Sequence, residues 1–167
     1  CLGVGDVWII AGQSNSAGYG RGAYHDPAEL GVHLFRNNGH WALATHPMND
    51  STDTAHSVNR EGANPSHSPY LNFGRVLKHA LGHPIGLVQT ALGGSPLRRW
   101  NPGEQGEADL LANMLQCAQQ AGGAVKGVLW YQGETDANEL TADSYLKRFK
   151  AAVRAWRIAL RNPRLPV

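Results

Sequence analysis

The sequence predicts an α/β fold, a three-layer α/β/α sandwich around a parallel sheet of about five strands. Two observations predict it. Short β-rich apolar runs alternate with longer segments of helical periodicity, the pattern of parallel strands joined by crossover helices. Three of the connections also open on polar or glycine-rich clusters: Gly12-Gln13-Ser14-Asn15, Gly93-Gly94-Ser95 and Gln132-Gly133-Glu134. In sheets of this kind, sites gather where the strands end at their carboxyl edge, so the fold class alone places these clusters together.

The elements follow in order. Val7 to Ala11 is an unbroken apolar run, as expected of a strand buried on both faces. Val32 to Phe35 reads as a second strand. Residues 36–68 are rich in Asn, His, Ser, Thr, Asp and Gly without periodicity, a long irregular excursion of the kind that is usually functional. Pro69 opens a helix on which Tyr70, Phe73, Val76, Leu77 and Leu81 share a face, stopped by Gly82 and Pro84. Ile85 to Gln89 is a third strand. A helix from Glu107 to Ala121 carries Leu110, Leu111, Met114, Leu115 and Ala118 at helical spacing and closes on Gly122-Gly123. Val125 to Tyr131 is a fourth strand, and a helix over Thr141–Leu160 places Tyr145, Phe149, Val153 and Trp156 on its buried side. Leu165-Pro166-Val167 reads as the first residues of a fifth strand.

Composition narrows the function classes. The chain of 167 residues, 42% hydrophobic and 17% charged, is read as a single domain over 1–167 with a substantial core. Its net charge of +2 is small, and the spacing of Arg154, Arg157, Arg161 and Arg164 reads as a solvated helix face rather than a nucleic-acid patch. No run of about 18 apolar residues suggests a membrane span. Two cysteines, Cys1 and Cys117, make neither a disulfide framework nor a zinc cluster, and Cys117 reads as a small buried hydrophobe. The eight histidines follow no metal-ligand spacing, and His25, His33, His40, His46, His56 and His67, in polar sequence, read mostly as surface residues. Neither a cofactor nor a metal is expected.

Ser14 is the candidate nucleophile. A serine at a strand end is fixed in place, and the following helix start offers free N–H groups to a developing oxyanion. The plainer reading makes Ser14 or Asn15 a helix N-cap. Gly93 and Gly94 let the backbone approach a substrate and turn an N–H toward it, while Gln132 can offer its side-chain amide as a further donor. Glu134 reads as a supporting carboxylate and Asp136 as the N-cap of a short turn. Trp100 and Trp130 are candidates for the sugar side of a pocket, with core packing an equal account of Trp130.

Asp6-Val7-Trp8-Ile9-Ile10-Ala11-Gly12-Gln13-Ser14-Asn15, Ala91-Leu92-Gly93-Gly94-Ser95 and Trp130-Tyr131-Gln132-Gly133-Glu134-Thr135-Asp136 occur in that order. Together they resemble the SGNH-type carbohydrate esterases, in the branch of sialate O-acetylesterases and acetylxylan esterases (carbohydrate esterase family 6). The resemblance runs over essentially the whole chain and implies an SGNH, flavodoxin-like fold. It implies Ser14 as nucleophile and an oxyanion hole from the Ser14 N–H, a glycine N–H of Gly93-Gly94 and Gln132, with Gln13, Asn15 and Glu134 in support. It further implies removal of acetyl groups from an acetylated carbohydrate without a metal. A catalytically silent carbohydrate-binding domain, or an SGNH hydrolase of lipid or other esters, are the alternatives. The family's D-x-x-H segment, which supplies the catalytic Asp and His, follows its fifth strand. No Asp or His follows Trp156 here, so that pair is expected beyond Val167, with His56 and His67 as the in-chain substitutes.

Overall fold

The computed structural model describes residues 4–63, 65–106 and 108–167. Its elements are β1 (Asp6–Gly12), α1 (Ser14–Ala17), β2 (Val32–Phe35), β3 (Trp41–Leu43), α2 (Tyr70–Leu81), β4 (Ile85–Gln89), α3 (Asp109–Gln120), β5 (Val125–Tyr131) and α4 (Tyr145–Ala159). The strands form one sheet in the order β3-β2-β4-β1-β5. β1 pairs in parallel with β4 and β5, and β2 in parallel with β4. β1 lies inside the sheet between β4 and β5, and its alternating side chains feed two cores. Ile9 and Ala11 join Val88, Leu110, Met114, Val128 and Trp156 under α3 and α4. Ile10 points the other way, to Val32, Leu34, Leu71 and Leu87 under α2. Two cores separated by one sheet make the three-layer sandwich.

Several boundaries differ from expectation, each for a physical reason. The sheet is mixed, because its fifth strand is β3, antiparallel to β2 and inside the supposedly irregular excursion. β3 is three residues long, with Trp41 and Leu43 exposed, so it carries no apolar alternation to read. Leu165-Pro166-Val167 forms no strand, although Val128 N–H donates to the Pro166 carbonyl at 3.0 Å along β5. Pro166 has no N–H to return the bond, so a regular ladder cannot start there.

α2 buries Tyr70, Leu71 and Gly74 and packs Phe73 and Leu77 against the same core, while Val76 and Leu81 of the expected face are exposed. Gly74 sets that rotation: a Cβ there would lie 2.7 Å from Val32 Cγ1, so the helix lies closer to the sheet than any side chain permits. α4 starts at Tyr145, after turns over 139–144, and buries Val153 and Trp156 as expected. Cys1 and Glu107 lie outside the described residues. Cys117 is free and buried, and its burial pushes the thiol pKa up to about 12. Two histidines are not surface residues. The His46 side chain is buried and pairs with Asp26 at 3.3 Å, and His56 packs against Phe35. Among the described residues, no helix is long and apolar enough to cross a membrane.

Candidate active site

The three clusters do meet at one sheet edge. Gly12 ends β1 at φ +120°, where a Cβ would sit 2.1 Å from the Tyr131 carbonyl oxygen, so only glycine lets β1 pass β5 at this point. Gln13 follows, buried; its N–H donates to that same carbonyl at 3.0 Å. Its side-chain Oε1 accepts from the Thr135 N–H at 3.2 Å and, more loosely, from the Gly133 N–H at 3.4 Å. Asn15 donates its amide to Glu134 Oε1 at 2.7 Å. Gln13 and Asn15 therefore clamp the turn on both sides of Ser14. Ser14 is the first residue of α1 and half-buried, and it does not cap that helix, whose N-cap is Gln13. Among the described residues, nothing hydrogen-bonds the Ser14 hydroxyl, and its N–H belongs to the unbonded first turn of a helix.

The second cluster is tied to the first by backbone. Leu92 N–H donates to the Gly12 carbonyl at 3.1 Å, and the Ser95 hydroxyl reaches the same oxygen at 3.3 Å. The two glycines then differ. Gly93 N–H donates to Glu61 Oε1 at 2.7 Å, which takes it out of the pool of free donors. Gly94 sits at φ +67° in open space, exposed, and its N–H has no partner among the described residues. Of the pair, Gly94 is the one that can meet a ligand.

Gln132 is placed as expected but occupied otherwise. Its amide nitrogen donates to the Ser95 carbonyl at 3.2 Å and to Asp136 Oδ2 at 2.7 Å, which uses both hydrogens. Its Oε1 accepts from the Tyr145 hydroxyl at 2.8 Å, and burial raises the pKa of that hydroxyl and keeps it a donor. Asp136 is no N-cap of a following turn, because its carboxylate is taken up by partners outside that turn. It is buried and also accepts from Leu97 N–H at 2.8 Å and Arg148 Nη1 at 2.9 Å. Gln132 and Asp136 together clasp the end of β5 to the Gly94-Ser95 segment. The tryptophans belong to the core. Trp100 is fully buried, and Trp130 packs between its edge, at 5.4 Å, and Phe149, stacked at 5.7 Å.

The excursion supplies residues that sequence reasoning missed. Asn37, Asn49, Asn59 and Asn113 are buried and joined side chain to side chain: Asn113 donates to Asn59 at 3.3 Å, Asn59 to Asn37 at 3.1 Å, and Asn37 to Asn49. Asn49 donates onward to the Ala91 carbonyl at 3.0 Å and to Glu61 Oε1 at 3.1 Å. Tyr19 closes the chain, donating to Glu61 Oε2 at 2.8 Å; partial burial and that carboxylate push its pKa up to about 12. Three asparagines and a glutamate in an aperiodic stretch were the only available signal, and composition does not say which polar residues turn inward.

The two histidines considered as substitutes have other partners. His67 bonds Ser66 at 3.2 Å and lies tilted against Tyr24, and His56 packs against Phe35; neither hydrogen-bonds the Ser14 hydroxyl. Among the described residues no group of His, Cys, Asp and Glu gathers as a metal site.

A strand-end serine whose hydroxyl has no partner among the described residues and an exposed glycine N–H thus both lie at the carboxyl edge of the sheet. The chain belongs to the carbohydrate esterase, sialic acid-specific acetylesterase family, whose profile matches residues 4–167. It is 28% identical over 181 residues to a probable carbohydrate esterase of Arabidopsis thaliana, covering 96% of this chain and 66% of that protein. The crystal structure of the Arabidopsis protein superposes with a TM-score of 0.79 at 26% identity, over 96% of this chain and 71% of that one. Human sialate O-acetylesterase is 25% identical over 92% of this chain and 35% of its own length. A carbohydrate acetylesterase from Xanthomonas citri shares the fold, with a TM-score of 0.61 at 24% identity over 97% of this chain and 40% of its own. The chain therefore spans about two thirds of the Arabidopsis relative and about a third of the human one.

Proposed function

We propose that this chain carries the nucleophile and oxyanion side of a serine esterase that removes O-acetyl groups from carbohydrates, either O-acetyl sialic acid or acetylated xylan. One observation carries the reading: the Ser14 hydroxyl and the Gly94 N–H are left without internal partners at the edge where three strand ends are braced together. Both stand at the carboxyl edge of the sheet, where a bound ester would offer its carbonyl carbon to the hydroxyl and its oxygen to the N–H.

In the proposed reaction, Ser14 Oγ attacks the acetyl carbonyl carbon and its proton passes to a base. The carbonyl oxygen becomes an oxyanion held by the Ser14 and Gly94 N–H groups. Collapse breaks the bond to the sugar oxygen, which leaves with the proton. Water then attacks acetyl-Ser14, releasing acetate and restoring the hydroxyl. The base is assigned to the D-x-x-H segment that the resemblance implies, since no described side chain accepts from Ser14. Gln132 joins the oxyanion hole only by releasing its longer bond, to the Ser95 carbonyl; its standing role is to hold the Gly94 segment.

A fluorophosphonate probe applied to the intact protein, with the adduct located by peptide mass, tests the nucleophile. Modification of Ser14 supports the reading, and a probe that labels another serine, or none, sinks it. Rates on O-acetyl sialic acid, acetylated xylan and p-nitrophenyl esters of rising acyl length then assign the substrate class.

A further inference from the structure

We infer that Glu61 is a positioning residue for the esterase site, and that the long excursion exists in part to deliver it. The inference rests on the reading above, in which Gly94 N–H is an oxyanion donor.

The Gly94 N–H is separated from the Gly93 N–H only by the φ and ψ of Gly93, so fixing the first peptide plane removes one source of freedom from the second. Glu61 fixes it: Oε1 takes the Gly93 N–H at 2.7 Å. The carboxylate is itself held from two other directions, by Asn49 Nδ2 at 3.1 Å and by the Tyr19 hydroxyl at 2.8 Å. Tyr19 follows α1, the helix that Ser14 opens, so one carboxylate joins the glycine turn to the nucleophile's own segment. Asn49 leads through Asn37 and Asn59 to Asn113 on α3, so the carboxylate is anchored in the core. Gly93 also has the space for this and little more: a Cβ there would meet Glu61 Oε2 at 3.0 Å and the Tyr19 ring at 3.2 Å. A glycine pair next to a nucleophile is mobile unless something holds it. Without the bond to Glu61, the Gly94 N–H is free to swing, and an error of about 1 Å in such a donor can cost up to about 100-fold in rate.

What Glu61 supplies is an acceptor at a fixed place, so geometry matters more than charge. Glu61→Gln keeps an oxygen for Gly93 and presents an N–H that Tyr19 accepts by turning its hydroxyl. Glu61→Asp keeps the charge and withdraws the oxygen by one methylene. The intact protein and these two variants, with Glu61→Ala, are compared on p-nitrophenyl acetate, with thermal unfolding as the check on folding. The expected result is kcat lowered roughly 10- to 100-fold in Glu61→Asp and Glu61→Ala, with KM within about threefold and with Glu61→Gln rescued to near wild type. Equal kcat in wild type and a folded Glu61→Asp overturns the inference, as does a loss in Glu61→Gln as deep as in Glu61→Ala. Should Glu61→Ala fail to fold, the Asp and Gln pair decides alone. Wild-type hydrolysis that persists in Ser14→Ala overturns the site reading instead, and this inference with it.

Discussion

The strand ends and the excursion build the same site in opposite ways. At the strand ends the working groups are mostly backbone: the Gly12 turn, the Ser14 and Gly94 N–H groups, and the Gly12 and Ser95 carbonyls that receive the bracing bonds. From the excursion come side chains only, buried asparagines and one glutamate, acting at a distance through one another. The first kind of contribution is set by where a parallel strand stops. The second depends on long polar side chains finding partners across the molecule, and a buried polar network is stabilising only when all its members are satisfied.

The sharpest way to separate the regions is to remove the one group whose loss should be purely chemical. Ser14→Ala in the intact protein is expected to cut esterase turnover about 10⁴- to 10⁶-fold while leaving the unfolding temperature unchanged. Retention of a tenth of the activity would move the nucleophile elsewhere. Asp136→Ala should do the reverse. It strips the Arg148 guanidinium of one of its two carboxylates and leaves Leu97 N–H and a Gln132 hydrogen unpaired, at about 3–5 kcal/mol. Urea unfolding that shows less than about 1 kcal/mol would mean that the clasp is dispensable.

Gln132→Ala tests where the boundary between these classes lies. As a clasp, it should cost roughly 1–3 kcal/mol of stability, because Asp136 and Ser95 lose a donor. A drop of about 10²- to 10³-fold in kcat in a variant that stays folded would instead place it in the oxyanion hole. The smallest effect concerns the excursion alone. Burial lowers the His46 pKa below its ordinary 6.5, outweighing Asp26, which raises it, and adding to the lowering by His67. The unfolded chain then binds a proton that the fold resists, so this contribution is complete above the ordinary value and is lost as pH falls toward the lowered one. Unfolding temperatures of wild type and His46→Asn should converge as the pH is lowered through that window. Parallel curves would remove His46 from the account.

What was legible follows the same division. The β1 run, the Gly12–Asn15 turn and the strand-end placement of Gly93, Gly94 and Gln132 could be read because apolar runs and glycines declare strand ends locally. β3 could not, since three exposed residues carry no pattern. The face of α2 was legible in part: Tyr70, Phe73 and Leu77 do pack inward, but Val76 and Leu81 do not, because the sheet accepts the side with least bulk, at Gly74. Asp136 looked like a cap because its partners, Leu97 and Arg148, are 39 and 12 residues away. Glu61 was invisible for the same reason, 32 residues from Gly93.

The place of β1 between β4 and β5 also dictates when the strand-end cluster can come together. Its partners are β4, at 85–89, and β5, at 125–131, and the bond from Asn15 to Glu134 spans 119 positions. During synthesis Trp8-Ile9-Ile10-Ala11 precedes β4 by more than seventy residues and β5 by more than a hundred, so it waits for both neighbours. Parallel pairing at such separations is slow and leaves apolar strands open to other chains meanwhile. Ser14 is thus made well before the strands and the glutamate that set it in place.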